Sequence, residues 1–106
     1  MKKYLKKVLE WLKKSPPKHK IVICFWEDIL SSCSWENLDT IKQSHPAICW
    51  SVGYLVRKDE EVTIITSDLT VDEKNGKFVI EEGGNTTTIP TKNVLKLYEI
   101  PLNYNF

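Results

Sequence analysis

No stretch of this 106-residue sequence approaches the ~20 consecutive apolar residues that a membrane-crossing helix requires. A continuous apolar signal region is missing too, because Lys6, Lys7, Glu10, Lys13 and Lys14 interrupt the first turns, which argues against a secretory leader. Cysteine is scarce: Cys24, Cys33 and Cys49 are an odd number, and no C-x2-C pair occurs. Free thiols in a reducing, cytoplasmic setting are therefore expected. His45-x3-Cys49 is the sole close pair of metal-ligating types, and Cys24 and Cys49 fall inside apolar runs, where cysteine acts as a small hydrophobe. No metal and no cofactor are expected.

Reaction signatures are missing as well. There is no phosphate loop, no GxSxG and no dinucleotide fingerprint. Glu27 and Asp28 are adjacent on an expected strand, so their carboxyls point to opposite faces and make a poor acid/base pair. Nothing marks a helix terminus that would lower a cysteine pKa. The expectation is a protein that is not an enzyme.

What is present is a division of charge. Residues 1–20 hold eight lysines and one glutamate, a net +7, whereas residues 21–106 hold seven Lys/Arg against thirteen Asp/Glu, a net −6. The whole chain's +1 hides this. Residues 3–14 follow a helical period, with Tyr4, Leu5, Val8, Leu9, Trp11 and Leu12 in one arc and the lysines in the other. Pro16 and Pro17 are expected to stop this helix. Two parts follow: a basic amphipathic segment over 1–17 and a mainly β domain over 18–106.

Residues 19–27 are a near-continuous apolar run and predict a strand buried on both faces. Residues 28–46 break the pattern, with Ser34 a candidate cap for a short helix over Trp35–Gln43 whose inner contacts would be Trp35, Leu38 and Ile41. From Ala47 the period is two, with Trp50, Val52, Tyr54 and Val56 on one face and Cys49, Ser51, Gly53 and Leu55 on the other. Val62–Asp68 returns after a turn at Arg57–Glu60. Asn75-Gly76 signals a hairpin, Gly83–Asn85 a further turn, Thr86–Pro90 a short strand, and Thr91–Asn93 a tight turn into Val94–Ile100.

One helix followed by five or six short antiparallel strands predicts a small barrel, since closure removes exposed edges. Gly53 suits the bend a barrel needs. The layout resembles the Sm-like or SH3-like barrel, most closely over Thr88–Ile100, where a hydrophobic residue, a tight turn carrying Asn93 and a hydrophobic strand follow one another. Pro90-Thr91 stands where that family usually has glycine, and its aspartate-containing RNA-pocket motif has no counterpart. The resemblance thus implies the fold more than RNA binding. Trp26-Glu27-Asp28, Trp35, the run Ser51–Val56, Ser67-Asp68-Leu69 and Ile89-Pro90 with Val94 are similar to small bacteriophage proteins of unassigned function. That resemblance implies a phage or prophage accessory protein acting in the host cytoplasm.

Two functions are expected from different classes. One is a binding module for a nucleotide or nucleic acid, extending on the phage resemblance to sequestration of a host defence signal. Its candidate site is Trp35 with Arg57, Lys58, Lys92 and Asn93 at turns, where aromatic and cationic groups stack bases and hold phosphates. The other is an interaction protein that assembles with itself, as a homo-oligomer, or with a host protein. The lysines of the helix (Lys3, Lys6, Lys7, Lys13, Lys14) leave three roles open: contact with nucleic-acid phosphates, peripheral contact with an anionic membrane, or an outward face on a helix that docks on its own domain.

Overall fold

A computed structural model describes residues 2–15 and 18–101. The elements run α1 (Lys2–Lys14), β1 (Ile21–Asp28), α2 (Leu38–Ile41), β2 (Ala47–Lys58), β3 (Val62–Leu69), β4 (Asp72–Lys74), β5 (Lys77–Val79), β6 (Gly83–Pro90), a 3-10 turn (Thr91–Asn93) and β7 (Val94–Ile100). The helix stop expected at Pro16-Pro17 lies outside the described residues. No helix among the described residues is long and apolar enough to cross a membrane.

The five long strands form one antiparallel sheet in the order β6-β3-β2-β1-β7, and β4-β5 form a separate hairpin. Asn75 and Gly76 both take positive φ (52° and 75°), the conformation a tight two-residue hairpin turn demands. The chain is thus mainly β with one N-terminal helix. The expected closure is not made: β6 and β7 are the two edges, and among the described residues no ladder joins them. The sheet stays open. β2 is long enough to serve both halves, pairing with β1 over Ala47–Tyr54 and with β3 from Tyr54 to Lys58. At the changeover Gly53 lets β3 come close, since a Cβ there would sit 2.5 Å from the Thr66 carbonyl oxygen. A register shift follows between Leu55 and Arg57, and such an irregularity sharpens the local bend.

The core lies on one side of this sheet. Val22, Cys24, Ile65 and Ile89 are buried, flanked by Trp26, Leu55, Val94 and Leu97. Polar groups within it are satisfied: the Trp26 indole N–H donates to Ser51 Oγ (3.0 Å), Thr63 and Thr91 share a hydroxyl contact (3.0 Å), and the Thr66 hydroxyl donates to the Gly84 carbonyl (2.8 Å). Burial raises the Cys24 thiol pKa, and Lys58 lowers it to a lesser degree, so Cys24 is the inert core residue its apolar surroundings suggest.

Three expectations need correction. β1 is buried on one face only, because Ile21, Ile23 and Phe25 remain half-exposed on its outer side. The helix drawn over Trp35–Gln43 shrinks to one turn whose cap is Asn37, not Ser34; Asn37 Oδ1 accepts from the Asp39 amide at 2.8 Å. Its intended inner contacts Trp35, Leu38 and Ile41 are all exposed, and a helix with nothing to pack on does not propagate. Gly83–Asn85 is not a turn but the start of β6, paired through Leu69–Gly83 and Asp68–Gly84.

Candidate functional site

The anticipated ligand residues are only partly gathered. Arg57 and Lys58 end β2, and Lys92 lies on the neighbouring 3-10 turn; Thr91 joins the two segments through its hydroxyl to the Asp59 carbonyl (2.7 Å) and its amide to the Glu61 carbonyl (3.0 Å). Arg57 Nε is already held by Asp59 at 2.5 Å, with Glu61 at 4.0 Å from its guanidinium. Asn93 Nδ2 donates to the Glu27 carbonyl (3.1 Å), tying this turn to the end of β1. Trp35 stands apart on the 29–46 loop and is fully exposed. A cleft of about 550 Å³ within that loop is lined by Ile29, Leu30, Glu36, Ile41 and His45, without Trp35 and without lysine or arginine.

The β2–β3 turn is electrostatically ordered. Asp59 accepts from the Val62 and Glu61 amides (2.8 and 2.9 Å) and from Arg57. The Val62 amide foremost, then Arg57, holds its carboxyl below the ordinary carboxylate value. A depressed pKa means the carboxylate favours the folded turn above its unfolded pKa, and that contribution is lost as pH falls through the folded value. In a carboxyl NMR titration Asp59 should protonate below the ordinary carboxylate range, and Arg57→Ala should move its midpoint upward.

On α1, Lys3, Lys6, Lys7, Lys13 and Lys14 are all exposed. No residue of the helix is buried. Its apolar arc meets the β4-β5 hairpin through Phe78, whose ring lies 6.0 Å from Tyr4 and 5.7 Å from Trp11, while Leu5 stays 54% exposed. The helix therefore leans on the hairpin and does not cap the core.

The feature that sequence reasoning missed is the outer face of the β7-β1-β2 half. Register stacks three apolar rungs there: Lys96–Phe25–Trp50, Tyr98–Ile23–Val52 and Ile100–Ile21–Tyr54. Phe25 is the hub, with Trp50 edge-on at 4.8 Å and Tyr98 at 5.9 Å. Lys96 borders the face, its ammonium 5.2 Å from the Tyr98 ring centre. Trp50 is 72% exposed and Val52 53%. On the β3-β6 half, Ile80 of the hairpin segment borders one shallow cleft with Val56, Ile64 and Leu69. An apolar face of this kind on a sheet is the mark of a surface built to be covered. A signal existed in the sequence: Ser51 and Gly53, the small residues of β2, alternate with Trp50 and Val52, and the crowded inner side takes the small ones.

This arrangement defines a class, a mainly β antiparallel-sheet protein with an uncovered aromatic face and an amphipathic helix beside it. No known protein family, curated protein or solved structure matches the chain.

Proposed function

We propose that this protein is a non-enzymatic interaction protein whose working form is a self-assembled oligomer. The exposed aromatic face of β7-β1-β2 carries the reading, because solvent contact with Trp50, Val52, Tyr98 and Ile48 opposes a solitary monomer. Its extent supports the same view. One chain exposes 8661 Å², against about 6,100 Å² for a compact monomer of its mass. The radius of gyration is 19.3 Å and the extents are 63 × 24 × 24 Å, where a compact chain of this length has a radius near ~13 Å.

The strand order, with a 3-10 turn between the two edge strands, favours the Sm-like or SH3-like layout as the underlying fold. On the resemblance to phage accessory proteins, the assembly acts in a host cytoplasm. A nucleotide or nucleic-acid role is the second reading, favoured by Arg57, Lys58 and Lys92 on adjoining turns and by the exposed lysines of α1. Native mass spectrometry of protein purified from cells separates the two. The assembly reading expects oligomers whose mass is a whole multiple of one chain. A monomer carrying a nucleotide-sized or oligonucleotide adduct would overturn it in favour of the second.

A further inference from the structure

The outer face of β7-β1-β2 is covered by nothing among the described residues, and the apolar arc of α1 is covered only in part, since Phe78 meets Tyr4 and Trp11 while Tyr4 and Leu5 stay exposed. From this we infer that α1 of one copy lies on the aromatic sheet face of a second copy, and that the exchange is reciprocal in a two-fold dimer. This rests on the assembly reading and names the partner of that same face.

The dimensions agree. Thirteen helical residues span ~20 Å with a diameter of ~10 Å. Eight residues of β1 span ~26 Å, and the distance from β7 across β1 to β2 is ~10 Å. One helix therefore fills one face. Charge agrees too: α1 carries six lysines and one glutamate, net +5, while residues 21–106 carry net −6. Opposite signs favour the encounter of one copy's helix with another's sheet domain. With the apolar arc turned to the sheet, the lysine arc stays in water.

The excess over a compact monomer is about 2,500 Å² for the whole chain, the exposed 29–46 loop included, and a standard stable interface takes ~800 Å² from each partner. A reciprocal exchange covers the sheet face and the exposed part of the helix arc at once, which a face-to-face pairing of two sheets does not, since it leaves Tyr4 and Leu5 in water. Isologous closure of this kind also stops at two copies and makes no open fibre.

The test uses two full-length variants. Leu5→Glu/Leu12→Glu spoils the helix arc, and Trp50→Glu spoils the sheet face; circular dichroism confirms that each keeps its sheet. Each alone should sediment as a monomer where the parent is a dimer. Mixing them should restore a heterodimer, because one retains an intact helix and the other an intact face. In an equal mixture of ¹⁴N- and ¹⁵N-labelled parent chains, an amine cross-linker should join α1 lysines to Lys96 between light and heavy copies. A dimer that persists in the helix variant overturns helix exchange while leaving assembly intact. Links confined to single-isotope pairs place the helix on its own sheet and overturn it equally. A parent chain that is monomeric throughout overturns both the exchange and the assembly reading.

Discussion

Gly53→Val should remove a large share of the fold's stability. A Cβ at this position would lie 2.5 Å from the Thr66 carbonyl oxygen and 2.8 Å from Ile65 Cγ2. The first of these is backbone held in the β3 ladder with β6 on its far side, so it has nowhere to retreat. Separating β3 from β2 there would open the bend on which Ile65 and Ile89 pack. Overpacking typically costs 1–3 kcal/mol, and a clash with fixed backbone lies at or beyond the top of that range, about 3 kcal/mol or more. A small domain holds only ~5–15 kcal/mol in total. Two other glycines calibrate the claim. At Gly76 nothing lies within 4 Å but φ is +75°, so Gly76→Ala should cost about 1 kcal/mol through backbone conformation alone. At Gly84 the nearest atom is an ordinary 3.8 Å away, so Gly84→Ala should be close to neutral. Thermal or urea melts of the three variants should rank Gly53 far above Gly76, and Gly76 above Gly84. A Gly53→Val protein that melts like the parent would mean that β3 does not approach β2 this closely.

Trp50→Glu should act on association and spare most of the fold. The side chain is 72% exposed in one chain, so its loss removes little core; the edge-on contact with Phe25 at 4.8 Å is worth about 0.5–1.5 kcal/mol. At the centre of a covered face, however, a tryptophan is the residue type that dominates binding, typically at 2 kcal/mol or more. That corresponds to a dissociation constant raised at least about 30-fold, and the buried carboxylate adds to it. Sedimentation should thus show the variant shifted to monomer with its melting transition lowered only modestly. A variant that unfolds outright would place Trp50 in a core, and one that associates like the parent would remove this face from the interface.

Much of the fold was legible in the residues, for reasons that can be named. α1 shows a helical period with lysine opposite leucine. Asn75-Gly76 specifies a hairpin because both residues tolerate positive φ. Thr91–Asn93 turns tightly because Pro90 ends one strand and Val94 begins another apolar run. Where the reading failed, tertiary context decided. Gly83-Gly84-Asn85 has turn composition, yet it pairs with Asp68 and Leu69 because a bare glycine lets β6 approach Thr66; a Cβ on Gly83 would stand 2.8 Å from Thr66 Oγ1. The loop after β1 offered Trp35, Leu38 and Ile41 at helical spacing, but Trp35 and Leu38 stay in solvent and Ile41 borders only the loop's own cleft, so one turn forms.

The candidate site was the least legible part. Period two in β2 separates Trp50, Val52, Tyr54 and Val56 from Cys49, Ser51, Gly53 and Leu55 without saying which set faces inward. Hydrophobicity favours the first set for the interior, whereas the close approach of β3 at Gly53 admits the second. The larger set is thus left outside, and alternation alone could not show that. The charge split fares better. Its +7 segment belongs largely to a helix whose lysines are exposed, although the helix leans on Phe78 and does not cap the core.

Sedimentation equilibrium of the full chain tests the central claim most directly. The account predicts a species of twice the 12.3 kDa chain mass, dissociating on dilution and held together without nucleotide or metal. A single species of one chain mass at every concentration, with Trp50 still open to solvent quenchers, would contradict it.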